Sequence, residues 1–200
     1  MKRDILGLVM CGGASRRMGE DKALLEARPG ITQLEYALQL LRPFCRRLAV
    51  SVAADESSAR FGGKLADSVE IVQDVPEIGG PMAGVVASLR HHKGWPVLAL
   101  ACDMPFLELS HLVQLLNRRD ASKLATAFAG PDGGPEPFCA IYEPAALFRL
   151  EAWARDGNSS LRRFLRENPV ELVESGRPMD LASVNDPESL AEARRKLGGS

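Results

Sequence analysis

Three segments of the 200-residue sequence hold residue types that handle phosphorylated ligands. In the first, Met10 and Cys11 lead into Gly12 and Gly13, and Arg16, Arg17 and Lys22 follow closely. Adjacent glycines let backbone N–H groups approach phosphate oxygens, while two guanidinium groups and one ammonium offset the charge of a triphosphate. The run contains neither GxxxxGK(S/T) nor GxGxxG, which excludes a P-loop and the dinucleotide fingerprint. The same residues also suit a tight strand-to-helix turn with solvated basic side chains.

The second segment is Cys102-Asp103-Met104-Pro105-Phe106, at the end of the apolar run 96–101. A carboxylate there is a hard oxygen ligand of the kind that holds Mg²⁺ through few protein contacts; it also suits a turn aspartate before proline. The third runs from Gln73 and Asp74 through Gly79, Gly80 and Pro81 to Gly84. Its backbone can pack against a base or ribose, with Asp74 accepting a hydrogen bond from a ring N–H or a ribose hydroxyl. Alternatively, Gly79 and Gly80 form a plain turn before a helix starting at Pro81. Each segment follows an apolar run, so all three reach the carboxyl edge of a parallel sheet, where binding crevices open. That convergence points to a nucleotide and a metal.

The elements that must position these segments are short apolar runs alternating with helical periodicity. They predict an α/β fold: one three-layer αβα domain, 1–197, with a mainly parallel, Rossmann-like sheet, and 198–200 as a frayed C-terminus. Strands are expected at 5–10, 48–53, 69–72, 96–101 and 124–128. Thr32 and Glu35 form a capping box for a helix over 33–41, ended before Pro43. Further helices are expected at 82–90, 110–117, 145–154 and 160–166, and a last one, capped by Asp186 with Pro187 at its first position, continues to Lys196. The stretch 130–137, rich in glycine and proline, reads as a mobile surface connection.

A hydrophobic fraction of 46% and a charged fraction of 26% allow a full core. The formal net charge of -1 provides no diffuse positive field, which argues against nucleic acid as a partner. Cys11, Cys45, Cys102 and Cys139 are too widely spaced for a zinc knuckle or a disulfide framework, so a reducing, cytoplasmic location is expected. The apolar run before Gly12 is too short for a signal-peptide core or a membrane span, so no membrane partner is expected. His91, His92 and His111 lack companion ligands at metal spacing and read as solvated or capping residues. Cys45 and Cys139 read as small buried hydrophobes, and Trp95 and Trp153 as packing residues. Arg162, Arg163 and Arg166 make a basic helix face, either solvated or facing an anionic cofactor or a partner enzyme.

The run GGASRRMGEDKALL, 12–25, resembles the signature GGxSxRMGxDKxLL of the molybdenum cofactor nucleotidyltransferases, most closely the guanylyltransferase branch. The resemblance continues in GGPMAG at 79–84, ACDMPF at 101–106, EPFCAIY at 136–142 and SVNDPESL at 183–190. It implies Mg²⁺-dependent transfer of GMP from GTP to molybdopterin or the molybdenum cofactor, with release of pyrophosphate. Molybdoenzyme chaperones or cofactor-biosynthesis proteins are the further partners it suggests. By motif position, Met10, Cys11 and Gly12 line guanine and ribose, and Gly13, Gly79 and Gly80 complete the nucleotide site. Arg17 and Lys22 face the phosphates, Asp74 binds the nucleoside and Asp103 holds the metal; Arg17, Lys22 and Asp103 are the expected catalytic set.

This chain departs from the family pattern at three places. Cys11 stands for an alanine, and the strand end 51–53 lacks an asparagine that bears on base selection. An NxN pair is reduced to Ser183-Val184-Asn185, which leaves Asn185 as an acceptor contact or a plain cap residue. Cytidylyl transfer to the same cofactor, nucleotidyl transfer to a sugar phosphate, and a non-catalytic carrier of nucleotide and cofactor are the alternatives. No protein nucleophile is expected, because the acceptor's own phosphate attacks in line with departing pyrophosphate.

Overall fold

The computed structural model describes residues 3–11, 21–56, 58–61, 65–130, 132–184 and 186–198. From β1 (Arg3–Met10) the chain passes through a small hairpin, β2 (Glu26–Arg28) and β3 (Ile31–Thr32), into α1 (Gln33–Leu41) and β4 (Cys45–Val52). Next come β5 (Val69–Gln73), α2 (Met82–His91), β6 (Val97–Ala101), α3 (Leu109–Arg118), β7 (Ala125–Ala129) and β8 (Pro135–Tyr142). α4 (Ala146–Arg155), α5 (Leu161–Glu167), β9 (Val170–Glu174) and α6 (Pro187–Gly198) complete it. The central sheet has seven strands in the order β5-β4-β1-β6-β8-β7-β9. β8 runs antiparallel to both neighbours and the remaining pairs are parallel, so the sheet is mainly parallel.

β1 shows why the strand is an unbroken apolar run. Ile5 and Val9 face a core layer shared with Leu40 of α1 and Leu115 of α3. Leu6, Leu8 and Met10 face the opposite layer, with Val86 of α2, Leu150 of α4 and Phe164 of α5. A strand buried on both faces has no polar side to alternate with. The sheet with helices on both faces is the expected αβα arrangement. Gly7 is required by packing, since a Cβ there would meet Cys45 Sγ and Leu48 Cδ2 at 2.9 Å.

α1 begins as its sequence predicts: the Glu35 N–H donates to Thr32 Oγ1 at 3.2 Å, and the Thr32 N–H donates to Glu35 Oε2 at 2.8 Å. The stretch 130–137 differs from expectation. Gly133 N–H donates to Gly130 O at 2.9 Å and Gly130 N–H to Gly134 O at 2.7 Å, closing a compact turn, and Pro135 already opens β8. Proline is tolerated at the first residue of a strand, so it punctuates this hairpin without lengthening the loop. α6 reaches Gly198, while Gly199 and Ser200 lie outside the described residues.

Candidate functional site

β5, β4, β1 and β6 are parallel, so the residues after them emerge at one sheet edge. Asp74 follows β5 and Asp103 follows β6, three strand steps away, a separation of about 14 Å at roughly 4.8 Å per step.

At the β5 end, a cavity of about 290 Å³ is lined by Met10, Ser51, Asp74, Ile78, Gly80 and Ala83, among others. Ser51 Oγ donates to Asp74 Oδ1 at 3.0 Å, and the Asp74 N–H donates to Val52 O at 2.8 Å. Burial pushes the Asp74 carboxyl up to about 6, against the pull of the Ser51 hydroxyl, with Glu56 adding to the rise. Gly84, in the first turn of α2, is set by this pair. A Cβ there would lie 2.4 Å from Ser51 Oγ and 2.9 Å from Asp74 Oδ1.

At the β6 end, Asp21 Oδ1 accepts from the Ala23 N–H at 3.0 Å and starts the helical turn that carries Lys22. Lys22 Nζ lies 3.5 Å from Asp103 Oδ2 and donates to Val184 O at 3.2 Å, with both charged side chains largely buried. The Ser183 side chain hydrogen-bonds the Asp103 carboxylate, and the Val184 N–H donates to Asp103 O at 2.9 Å. Burial raises the Asp103 pKa, while Lys22 and the Ser183 hydrogen bond pull it down.

The structure thus brings Lys22 and Asp103 together and sets Asp74 beside Met10. Met10 and Cys11 part company: Met10 lines the cavity, whereas the Cys11 thiol is buried in the α1 layer, leaving its backbone near the edge. Gly80 lines the cavity, and Gly79 lies close to Ser159, ahead of α5. Gly12, Gly13, Arg16, Arg17 and Asn185 lie outside the described residues.

Sequence reasoning gave no role to Ser51, Ser183 or Glu136. The β6–β8 register sets Leu100 opposite Cys139, so Asp103 and Glu136, three residues further each way, come to the same edge. Burial and the nearby Asp103 charge raise the Glu136 pKa, with burial the larger cause. Two arginines of the basic face of α5 are engaged within the chain, Arg162 with Asp132 and Arg163 with Glu167. His111 acts as a cap, its Nδ1 accepting from the Glu108 N–H at 3.1 Å. His92 differs from expectation: it is buried, and Glu70 supplies a companion group 3.0 Å away. Cys45 and Cys139 are buried in the core, and none of the four cysteines forms a disulfide.

A mainly parallel sheet whose carboxyl edge sets an ammonium against a buried carboxylate, beside a nucleoside-sized cavity, defines a protein of the nucleotidyltransferase class. Residues 7–173 match the MobA-like NTP transferase domain, so the chain belongs to that family and is a nucleotidyltransferase. It is 33% identical over 201 residues to the molybdenum cofactor guanylyltransferase of Serratia proteamaculans, covering 99% of this chain and 98% of that protein. It is 28% identical over 189 residues to a molybdenum cofactor biosynthesis bifunctional protein of Synechocystis, covering 94% of this chain and 53%, about half, of that longer relative. Among solved structures, molybdopterin-guanine dinucleotide biosynthesis protein A from Archaeoglobus fulgidus shares the fold. The TM-score is 0.78 at 24% identity, over 98% of this chain and 100% of that one.

Proposed function

We propose that this chain transfers GMP from GTP to molybdopterin or the molybdenum cofactor, with Mg²⁺, releasing pyrophosphate, and that residues 1–197 act as one cytoplasmic nucleotidyltransferase unit. The observation that carries this reading is Lys22 lying 3.5 Å from the buried Asp103, on the sheet edge that also holds the Asp74 cavity. The full-length likeness to a guanylyltransferase supports the choice of base and acceptor. No helix among the described residues is long and apolar enough to cross a membrane.

In this reading Asp74, held by Ser51, accepts hydrogen bonds from the nucleoside, and Met10, Gly80 and the Cys11 backbone line base and ribose. By motif position Gly12 joins the lining of base and ribose, Gly13 completes the nucleotide site, Arg17 faces the phosphates and Asn185 the acceptor. The acceptor's phosphate oxygen forms a bond to the α-phosphorus as the bond to the β-phosphate oxygen breaks, so no side chain is covalently modified. Lys22 supplies positive charge where the pyrophosphate charge develops. Asp103 and the Ser183 hydroxyl fit Mg²⁺, as hard oxygen donors that leave room for phosphates and water. The bound ion would supply further neutralisation of the triphosphate.

A pyrophosphate-release assay with molybdenum cofactor, comparing GTP with CTP and Mg²⁺ with a chelator, tests base, metal and reaction together. Release is expected only with GTP and Mg²⁺. Release with CTP alone would move the reading to cytidylyl transfer. GTP binding without release would make the chain a carrier.

A further inference from the structure

We propose a second metal site, separate from the nucleotide crevice, in which Glu70, His91 and His92 bind one zinc-like transition ion. Glu70 lies near the amino end of β5 and His91 is the last residue of α2, and His91 and Asp74 both line an open surface hollow beside the crevice. One potential ligand atom from each of the three residues falls within 4.8 Å of the others.

Consecutive histidines inside a helix point about 100° apart, but here the helix stops between them. His92 leaves α2 with φ -108 and ψ 63, and the two rings meet edge to face with centroids 4.9 Å apart. Glu70 Oε2 lies 3.0 Å from the buried His92 Nε2 and attracts it by charge, but the contact is poorly aligned as a hydrogen bond. The His92 side chain is only 8% exposed. A buried ring nitrogen left in this way costs free energy that a bound ion would offset.

The spacing suits zinc. Bonds of about 2.0–2.1 Å to nitrogen and oxygen set neighbouring ligand atoms roughly 3.3 Å apart in a tetrahedron. The Glu70–His92 pair is already near that separation, and His91, being exposed, is free to swing inward. Arg47 Nη1 donates to the other Glu70 oxygen at 2.9 Å, orienting the carboxylate from behind as outer-shell partners do. Two imidazoles and a carboxylate prefer zinc, whereas the oxygen donors around Asp103 prefer Mg²⁺, so the two sites select different ions. Occupancy would pin the edge strand β5 to the end of α2, whose first turn holds Gly84 against the Asp74 cavity.

The test is calorimetric titration of metal-free protein with Zn²⁺ in excess Mg²⁺, paired with the absorption spectrum of a Co²⁺-loaded sample. One equivalent of Zn²⁺ is expected, with a rise in Tm and tetrahedral Co²⁺ bands. His91→Ala and Glu70→Gln, both at partly or fully exposed positions, should each weaken binding by about tenfold or more and abolish the bands. Failure of folded wild-type protein to bind Zn²⁺, or equal binding by both variants, would overturn the proposal. Neither readout depends on which nucleotide the crevice takes.

Discussion

Two buried ion pairs stand at opposite ends of the sheet and are built differently. Glu143 follows antiparallel β8 at the edge remote from the crevice, and Arg119 grips it with both ends of its fork, Nε to Oε1 at 2.6 Å and Nη2 to Oε2 at 2.8 Å. The carboxylate holds the guanidinium pKa above its ordinary value. In the crevice, Lys22 meets Asp103 at 3.5 Å through one oxygen and shares its ammonium with Val184 O. Burial still pushes the Asp103 carboxyl up in spite of that partner. A bidentate guanidinium pair fixes geometry, whereas an ammonium on a flexible stem is a mobile point charge. One pair locks its two groups together, and the other is held through single contacts, as the proposed role of Lys22 at the phosphates requires.

Breaking each pair should therefore have a different consequence. Glu143→Ala leaves a partly buried guanidinium uncompensated and should cost about 1–3 kcal/mol of stability. Denaturant unfolding measures this, with turnover of the folded fraction unchanged. A loss below about 1 kcal/mol would place the pair with ordinary surface bridges and dissolve the contrast. Asp103→Asn should cut turnover of the folded fraction by about 10²–10³, the scale of removing one electrostatic contact to a transition state. A purified variant with normal turnover would take Asp103 out of the mechanism.

The smallest effect sharpens the comparison at the third carboxylate. Asp74 has a neutral hydroxyl as partner, and its pKa rises from 3.8 to about 6. Between those values the folded chain keeps a proton that the unfolded chain has lost, so its contribution to stability falls as pH rises through the window. Asp74→Asn should therefore raise Tm at pH 7.5, by about 2–4 °C for each kcal/mol relieved, and the gain should vanish below about pH 4. Melting curves across that range check it; a difference independent of pH would mean that Asp74 is not held as a strained carboxylate.

Much of this was legible in the sequence, and unevenly so. β1, β6 and the second half of β4 announce themselves because burial on two faces forces continuous apolar runs, and the α1 capping box is a local code. β8 was hidden by the glycines and prolines at its entrance, and β9, Val-Glu-Leu-Val-Glu, is a short edge strand with a mixed pattern. In the crevice, Lys22, Asp74 and Asp103 stood out by residue type and by position at strand ends. Their partners did not, because the Ser51 to Asp74 bond spans 23 positions and depends on strand order. The histidines were set aside for want of a companion, and Glu70 reaches them from another element.

The Lys22 to Val184 hydrogen bond joins residues 162 positions apart. The described residues lining the Asp74 cavity, by contrast, all lie at or before Ala83. During synthesis from the amino terminus, the nucleoside cavity has all its parts while the carbonyl that braces Lys22 has yet to be added. The residues of the proposed nucleoside cavity are thus synthesised well before the carbonyl that braces Lys22, although both are set by the same sheet.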